Sequence, residues 1–122
     1  MKRFALILAV AALPAAADWT VLSQSAEMTI SAETTRTPAG KPGAWALVDY
    51  PQIQPGGYRS QRMMFEADCP RTSYRILVSS VHAGSKASGR VLQSVDTPDD
   101  AWKPVPPDTV GAVVWLHICA GK

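Results

Sequence analysis

Tyr58-Arg59-Ser60-Gln61-Arg62-Met63-Met64-Phe65-Glu66-Ala67-Asp68-Cys69, residues 58–69, decides how this chain folds. In an extended strand successive side chains point to opposite faces. Here Met63, Phe65, Ala67 and Cys69 fall on one face, and Arg62, Met64, Glu66 and Asp68 on the other. The apolar face therefore ends in a cysteine. Asp68-Cys69-Pro70-Arg71 turns the chain into a second segment, 72–82, in which Tyr74, Ile76 and Val78 share one face while Leu77 and Val81 share the other with Arg75. A strand apolar on both sides belongs in the middle of a sheet.

The other cysteine lies in the tail. Pro104 to Pro107 makes an extended approach, Asp108 or Thr109 is placed to cap a helix, and Val110 to Ala120 reads as about three helical turns with Gly121 as the stop. Ala112, Trp115, Leu116 and Cys119 align at helical spacing, the stripe expected to pack on the sheet. Val110, Val113 and Val114 form the opposite side, where only His117 is polar. A helix apolar nearly all round needs cover on both sides, from a loop or from a partner.

Residues 1–17 carry the parts of a cleavable export signal. Lys2 and Arg3 start it, Phe4 to Leu13 is apolar throughout, and Pro14 leads to Ala15-Ala16-Ala17, so the mature chain is expected to begin at Asp18. The apolar run is about half the roughly 20 residues of a membrane span. No cysteine follows it to take a lipid anchor, and no later stretch is long and apolar enough to span. An exported chain enters an oxidising space, where two cysteines pair. A Cys69–Cys119 bridge closes a loop of about 50 residues, which the chain-entropy model values at about 4 kcal/mol. A redox pair would want Cys-x-x-Cys spacing, which the sequence lacks.

Thr37 to Gly43, Pro55-Gly56-Gly57, Gly84 to Gly89 and Thr97 to Pro107 punctuate the chain with turn residues. Between them, strands are expected near 18–23, 27–36, 44–50, 58–68, 72–82 and 90–95, with connections short enough for antiparallel neighbours. The fold class is α+β. One domain, 18–122, holds an antiparallel sheet of about six strands with a C-terminal helix on one face, tied down by the disulfide. Without Lys2 and Arg3 the 12 basic residues become 10, equal to the 10 acidic ones. A neutral domain exerts no long-range pull on nucleic acid or anionic lipid.

No constellation reaches a catalytic or cofactor site. His82 and His117 have no neighbours at metal-ligand spacing, so neither a metal nor another cofactor is expected. His82 closes a strand and reads as half-exposed; His117 reads as pointing from the helix to solvent. Ser80 and His82 share a strand face and are close enough to touch, but no orienting acid or oxyanion site accompanies them. Asp99 and Asp100 sit in the Pro-rich segment and read as a solvated turn. Arg59, Arg62, Arg71 and Arg75 cluster in one strand pair near Tyr50, Tyr58 and Tyr74. Arginine with tyrosine is the composition of a binding surface, although Glu66 and Asp68 on the face of Arg62 also fit cross-strand charge pairing. Trp19, Trp45, Trp102 and Trp115 read as core or its margin.

In order along the chain, Asp18-Trp19-Thr20, Trp45 to Tyr50, Tyr58-Arg59-Ser60, Phe65-Glu66-Ala67-Asp68-Cys69, Tyr74-Arg75, Trp102 to Pro107 and the helix ending in Cys119 resemble the bacterial surface-adhesin E-like domain family. The resemblance covers nearly all of the mature chain. It implies a six-stranded antiparallel sheet with a disulfide-tied C-terminal helix and no enzymatic activity. The family's named example is an outer-membrane adhesin for host extracellular-matrix and serum proteins. This chain departs from it in lacking a lipidation cysteine, and its helix from Val110 to Ile118 has no Lys, Arg, Glu or Asp. The expectation is a non-enzymatic envelope protein, periplasmic, surface-exposed or secreted. It would bind a protein or peptide through Arg59, Arg62, Arg71, Arg75, Tyr58 and Tyr74. The alternatives are a small periplasmic hydrolase-like enzyme centred on Ser80 and His82, and a structural homodimer joined through a sheet edge or the apolar helix.

Overall fold

The computed structural model describes residues 19–120. The expected export signal at 1–17 and the helix stop at Gly121 lie outside the described residues. The chain forms β1 (Thr20–Gln24), β2 (Thr29–Arg36), β3 (Pro42–Asp49), β4 (Ser60–Asp68), β5 (Ser73–His82), β6 (Val91–Pro104) and α1 (Val110–Ala120). The six strands make one sheet in the order β1-β2-β3-β4-β5-β6, every neighbour antiparallel. A sheet of this kind needs only hairpins between neighbours, which the short turn clusters supply.

The helix covers one face of this meander. Ala44 and Ala46 of β3, paired with Phe65 and Met63 of β4, bring small and large side chains opposite each other beneath α1. Ile30, Ala32, Val48 and Ala67 extend this core on the sheet, and Val114 and Ile118 close it from the helix. Phe65, Val48 and Val114 are almost wholly buried, each stabilising by about 1.5–3 kcal/mol through removal from water. Thr109 caps the helix as expected: its Oγ1 accepts the Ala112 N–H at 3.1 Å. The Cys69–Cys119 disulfide joins the end of β4 to the last turn of α1, the pairing expected from the sequence.

Three expectations are corrected. Gly111, Ala112, Val114 and Ile118 face the sheet, whereas Leu116, expected on that stripe, is 60% exposed. A helix apolar all round carries no phase in its periodicity. Close packing sets the phase instead: Gly111 sits so near Tyr74 that a Cβ there would be 3.0 Å from the ring. In β5 a bulge breaks the alternation. Phe65 pairs with Ile76 but Met64 with Val78, so Leu77 is the extra residue and Val78 joins the face of Met64, away from the helix. Finally, β6 does not end near 95. It runs through the Pro-rich segment to Pro104, with Asp99 in register beside Ile76 and three irregularities in its pairing with β5. Bulges let an edge strand absorb prolines that a central strand would reject.

Candidate functional site

The face of the sheet turned away from α1 carries the polar halves of the strands. Trp45 alternates with Ala44 and Ala46, so it must lie on this side. The β3–β4 register sets Trp45 opposite Met64 and Leu47 opposite Arg62. The Arg62 guanidinium then lies 3.7 Å from the centroid of the Trp45 ring, a cation–π contact. A second one forms near the other end of the face, where Arg75 lies 4.6 Å from the ring centroid of Trp102.

Arg75 is also half of a buried ion pair. Glu66 is 1% exposed; its Oε1 accepts Arg75 Nε at 2.7 Å and its Oε2 accepts the Thr37 hydroxyl at 2.5 Å. Gly43, opposite Glu66 in the ladder, makes this possible. A Cβ there would collide with the Phe65 backbone carbonyl and with Thr37. Arg71 stands at the β4–β5 turn, its side chain 84% exposed and its Nε 3.9 Å from Asp68. Such a pair contributes little. Arg59 precedes β4 at the opposite end of that strand, about 30 Å away at strand rise.

The four arginines are thus spread along the face rather than gathered. Tyr58 packs edge-on against Tyr50 at 5.7 Å near Arg59. Tyr74 lies on the helix side against Phe65 at 5.5 Å and is not brought together with the arginines. Burial and the neighbouring Tyr58 push the Tyr50 phenol above its ordinary pKa.

Ser80 and His82 do meet, with Oγ 2.8 Å from Nε2. His82 is not half-exposed as expected but 7% exposed. Burial, then the positive charge of Arg62, lowers its pKa. Its Nδ1 is buried with no hydrogen-bond partner among the described residues. His117 is half-buried on α1. Asp49, Ser60 and His82 lie in one transverse row across β3, β4 and β5, but the first two serve the connection after β5. Ser60 Oγ donates to Gly84 O at 2.6 Å and accepts the Ala87 N–H at 2.9 Å, and Asp49 Oδ1 accepts the Lys86 N–H at 2.5 Å. These bonds fold the Ser85–Ala87 turn over the sheet.

Beside that turn the helix-free face opens into a cavity of about 770 Å³. Trp19, Val21 and Tyr50 give its apolar surface, and Asp49, Arg59 and Lys86 its charge. A second cavity of about 510 Å³ lies near Cys69 and Pro70. Neither is lined by Ser80 or His82. Sequence reasoning singled out Arg59 but missed Trp19 and Lys86 as its companions, and Trp45 and Trp102 as stacking partners. The signal for Trp45 was its flanking alanines; the turn that carries Lys86 was legible in Gly84 to Gly89, but not where it folds on the sheet.

Among the described residues no group of three or more His, Cys, Asp or Glu is placed to hold a metal ion, and no helix is long and apolar enough to cross a membrane. The family model described as Surface-adhesin protein E matches residues 19–120. No curated protein and no solved structure matches the chain.

Proposed function

Because the chain belongs to the surface-adhesin protein E family, we propose that it is an exported, non-enzymatic envelope protein that binds a protein partner through the helix-free face of its sheet. The observation that carries this reading is the pair of arginine–tryptophan stacks, Arg62 on Trp45 and Arg75 on Trp102, held on the face opposite α1. Trp and Arg are the side chains that dominate binding energies at interfaces. The stacks hold the two guanidinium groups in fixed places, which reduces the ordering cost of binding. Six strands about 4.8 Å apart and about 26 Å long project roughly 600 Å², near the ~800 Å² per partner of a standard interface. Arg59 and Arg71 extend the same surface at its two ends.

The test is surface plasmon resonance of the disulfide-bonded protein over immobilised extracellular-matrix and serum proteins. Arg62→Ala combined with Trp102→Ala should weaken binding at least tenfold, while Leu116→Ser on the helix side should leave it unchanged. Equal binding by all three proteins removes the face from consideration. Protease treatment of intact cells, followed by immunoblotting, distinguishes display at the surface from residence in the periplasm.

A further inference from the structure

We propose that the cavity beside the Ser85–Ala87 turn is a specificity pocket for a peptide segment in which one carboxylate side chain neighbours a large apolar one. This rests on the helix-free face being the binding surface, and it names the chemistry of the partner at one end of that face. The cavity's volume, about 770 Å³, lies within the 300–1,000 Å³ of sites that enclose ligands. Its walls offer Trp19, Val21 and Tyr50 to an apolar group.

The charge around it is unbalanced. Arg59 and Lys86 are exposed cations with no ion pair among the described residues, and Asp49 is the one acid on the lining. Asp49 Oδ1 is engaged by the Lys86 backbone N–H, which leaves the ammonium and the guanidinium available. Two cations against one anion leave a single positive charge, which matches one carboxylate better than a dianionic phosphate. Arginine adds the planar fork that binds carboxylate bidentately.

The rim is built rather than incidental. Lys86 and Ala87 hold left-handed backbone, φ 55° and 59°, a conformation that costs non-glycine residues of order 1 kcal/mol or more. Buried Ser60 and half-buried Asp49 hold that turn through three hydrogen bonds to its backbone. The sheet thereby fixes where Lys86 leaves the chain. Strain maintained by buried polar groups is a recurring mark of ligand clamps.

The test uses three capped hexapeptides, of alternating Glu and Phe, Gln and Phe, and Lys and Phe, titrated into the ¹⁵N-labelled disulfide-bonded protein. The Glu peptide should shift the Trp19 indole and the Lys86 amide, with affinity falling as salt rises. The Gln peptide should bind at least fivefold more weakly, and the Lys peptide should leave these resonances in place. Arg59→Gln with Lys86→Gln should weaken the Glu peptide at least tenfold. Both side chains are exposed, and the salt dependence of the unmodified protein reports the same charges should the variant be unstable. Equal response to the Glu and Lys peptides overturns the proposal, as does a response confined to Trp45 and Trp102. Glu-peptide binding that survives Arg62→Ala and Trp102→Ala supports the pocket even where the wider face fails as a partner surface. Retained protein binding with no Glu-peptide binding overturns the pocket alone.

Discussion

Removing the Arg75 side chain should expose what the buried Glu66 costs. In the native protein the Glu66 carboxylate is 1% exposed and satisfied by Arg75 at 2.7 Å and Thr37 at 2.5 Å. Arg75→Ala leaves that charge with the threonine hydroxyl alone. Deleting one partner of a buried pair costs about 3–5 kcal/mol. The Arg75 side chain is 25% exposed, so water can reach the vacated site, and the lower end, about 3 kcal/mol, is the expectation. Losing the contact with Trp102 adds about 0.5–1 kcal/mol. With a urea m value of roughly 1–1.5 kcal/mol/M for a domain of this size, the unfolding midpoint should fall by about 2–4 M. Adding Glu66→Gln should recover a large part of the loss, because an amide can be buried at far lower cost than an unpaired carboxylate. Urea melts of the two single variants and the double variant decide it. A loss from Arg75→Ala under about 1 kcal/mol, with no recovery from Glu66→Gln, would refute the reasoning.

Replacing Cys69 and Cys119 by Ser should lower stability by about 4 kcal/mol. At roughly 4–8 °C per kcal/mol, scanning calorimetry should show a fall of about 15–30 °C in Tm. Gly43→Ala should prevent or severely weaken folding, because the new methyl group meets the Phe65 backbone carbonyl, which cannot move without breaking the β3–β4 ladder; circular dichroism and yield of soluble protein report it. His82 should make the protein acid-sensitive. Its folded pKa is lowered, by burial first and Arg62 second, so below about pH 6.5 the unfolded chain takes up a proton that the folded chain refuses. Its contribution is intact above that pH and declines as pH falls toward the lowered value, by at most about 1.4 kcal/mol per pH unit. His82→Gln should flatten this part of the urea-midpoint profile, and an unchanged slope would assign the sensitivity elsewhere.

Much of the architecture was legible in the sequence because it rests on local alternation and on covalent arithmetic. Met63, Phe65 and Ala67 sort to one face of β4 with no knowledge of the neighbours, and two cysteines in an exported chain have one partner each. The parts that were not legible depend on register. A single extra residue at Leu77 sends Val78 to the opposite face from Ile76, and strict period-two reading cannot see it. The prolines around 98–107 suggested a loop because proline removes a ladder donor, yet an edge strand needs donors on one side only. The phase of α1 was hidden by its uniform apolarity, and the tight approach of Gly111 to Tyr74 resolved it. The candidate site was legible in its arginines but not in their partners. Arg62 found Trp45 and Arg75 found both Glu66 and Trp102 across strands, pairings that only three-dimensional register creates.

The meander also bears on how copies of this protein meet one another at high local concentration. An open sheet ends in two rims, and among the described residues β1 and β6 are its outer strands. At β1 the rim is five residues long and its ladder slips between Val21 and Ser23; at β6 the ladder slips three times. A long, straight rim invites a second molecule to dock and a third after it, whereas a short or crooked one gives an incoming strand nothing regular to match. Crowded side by side, such molecules have little tendency to zip into fibres.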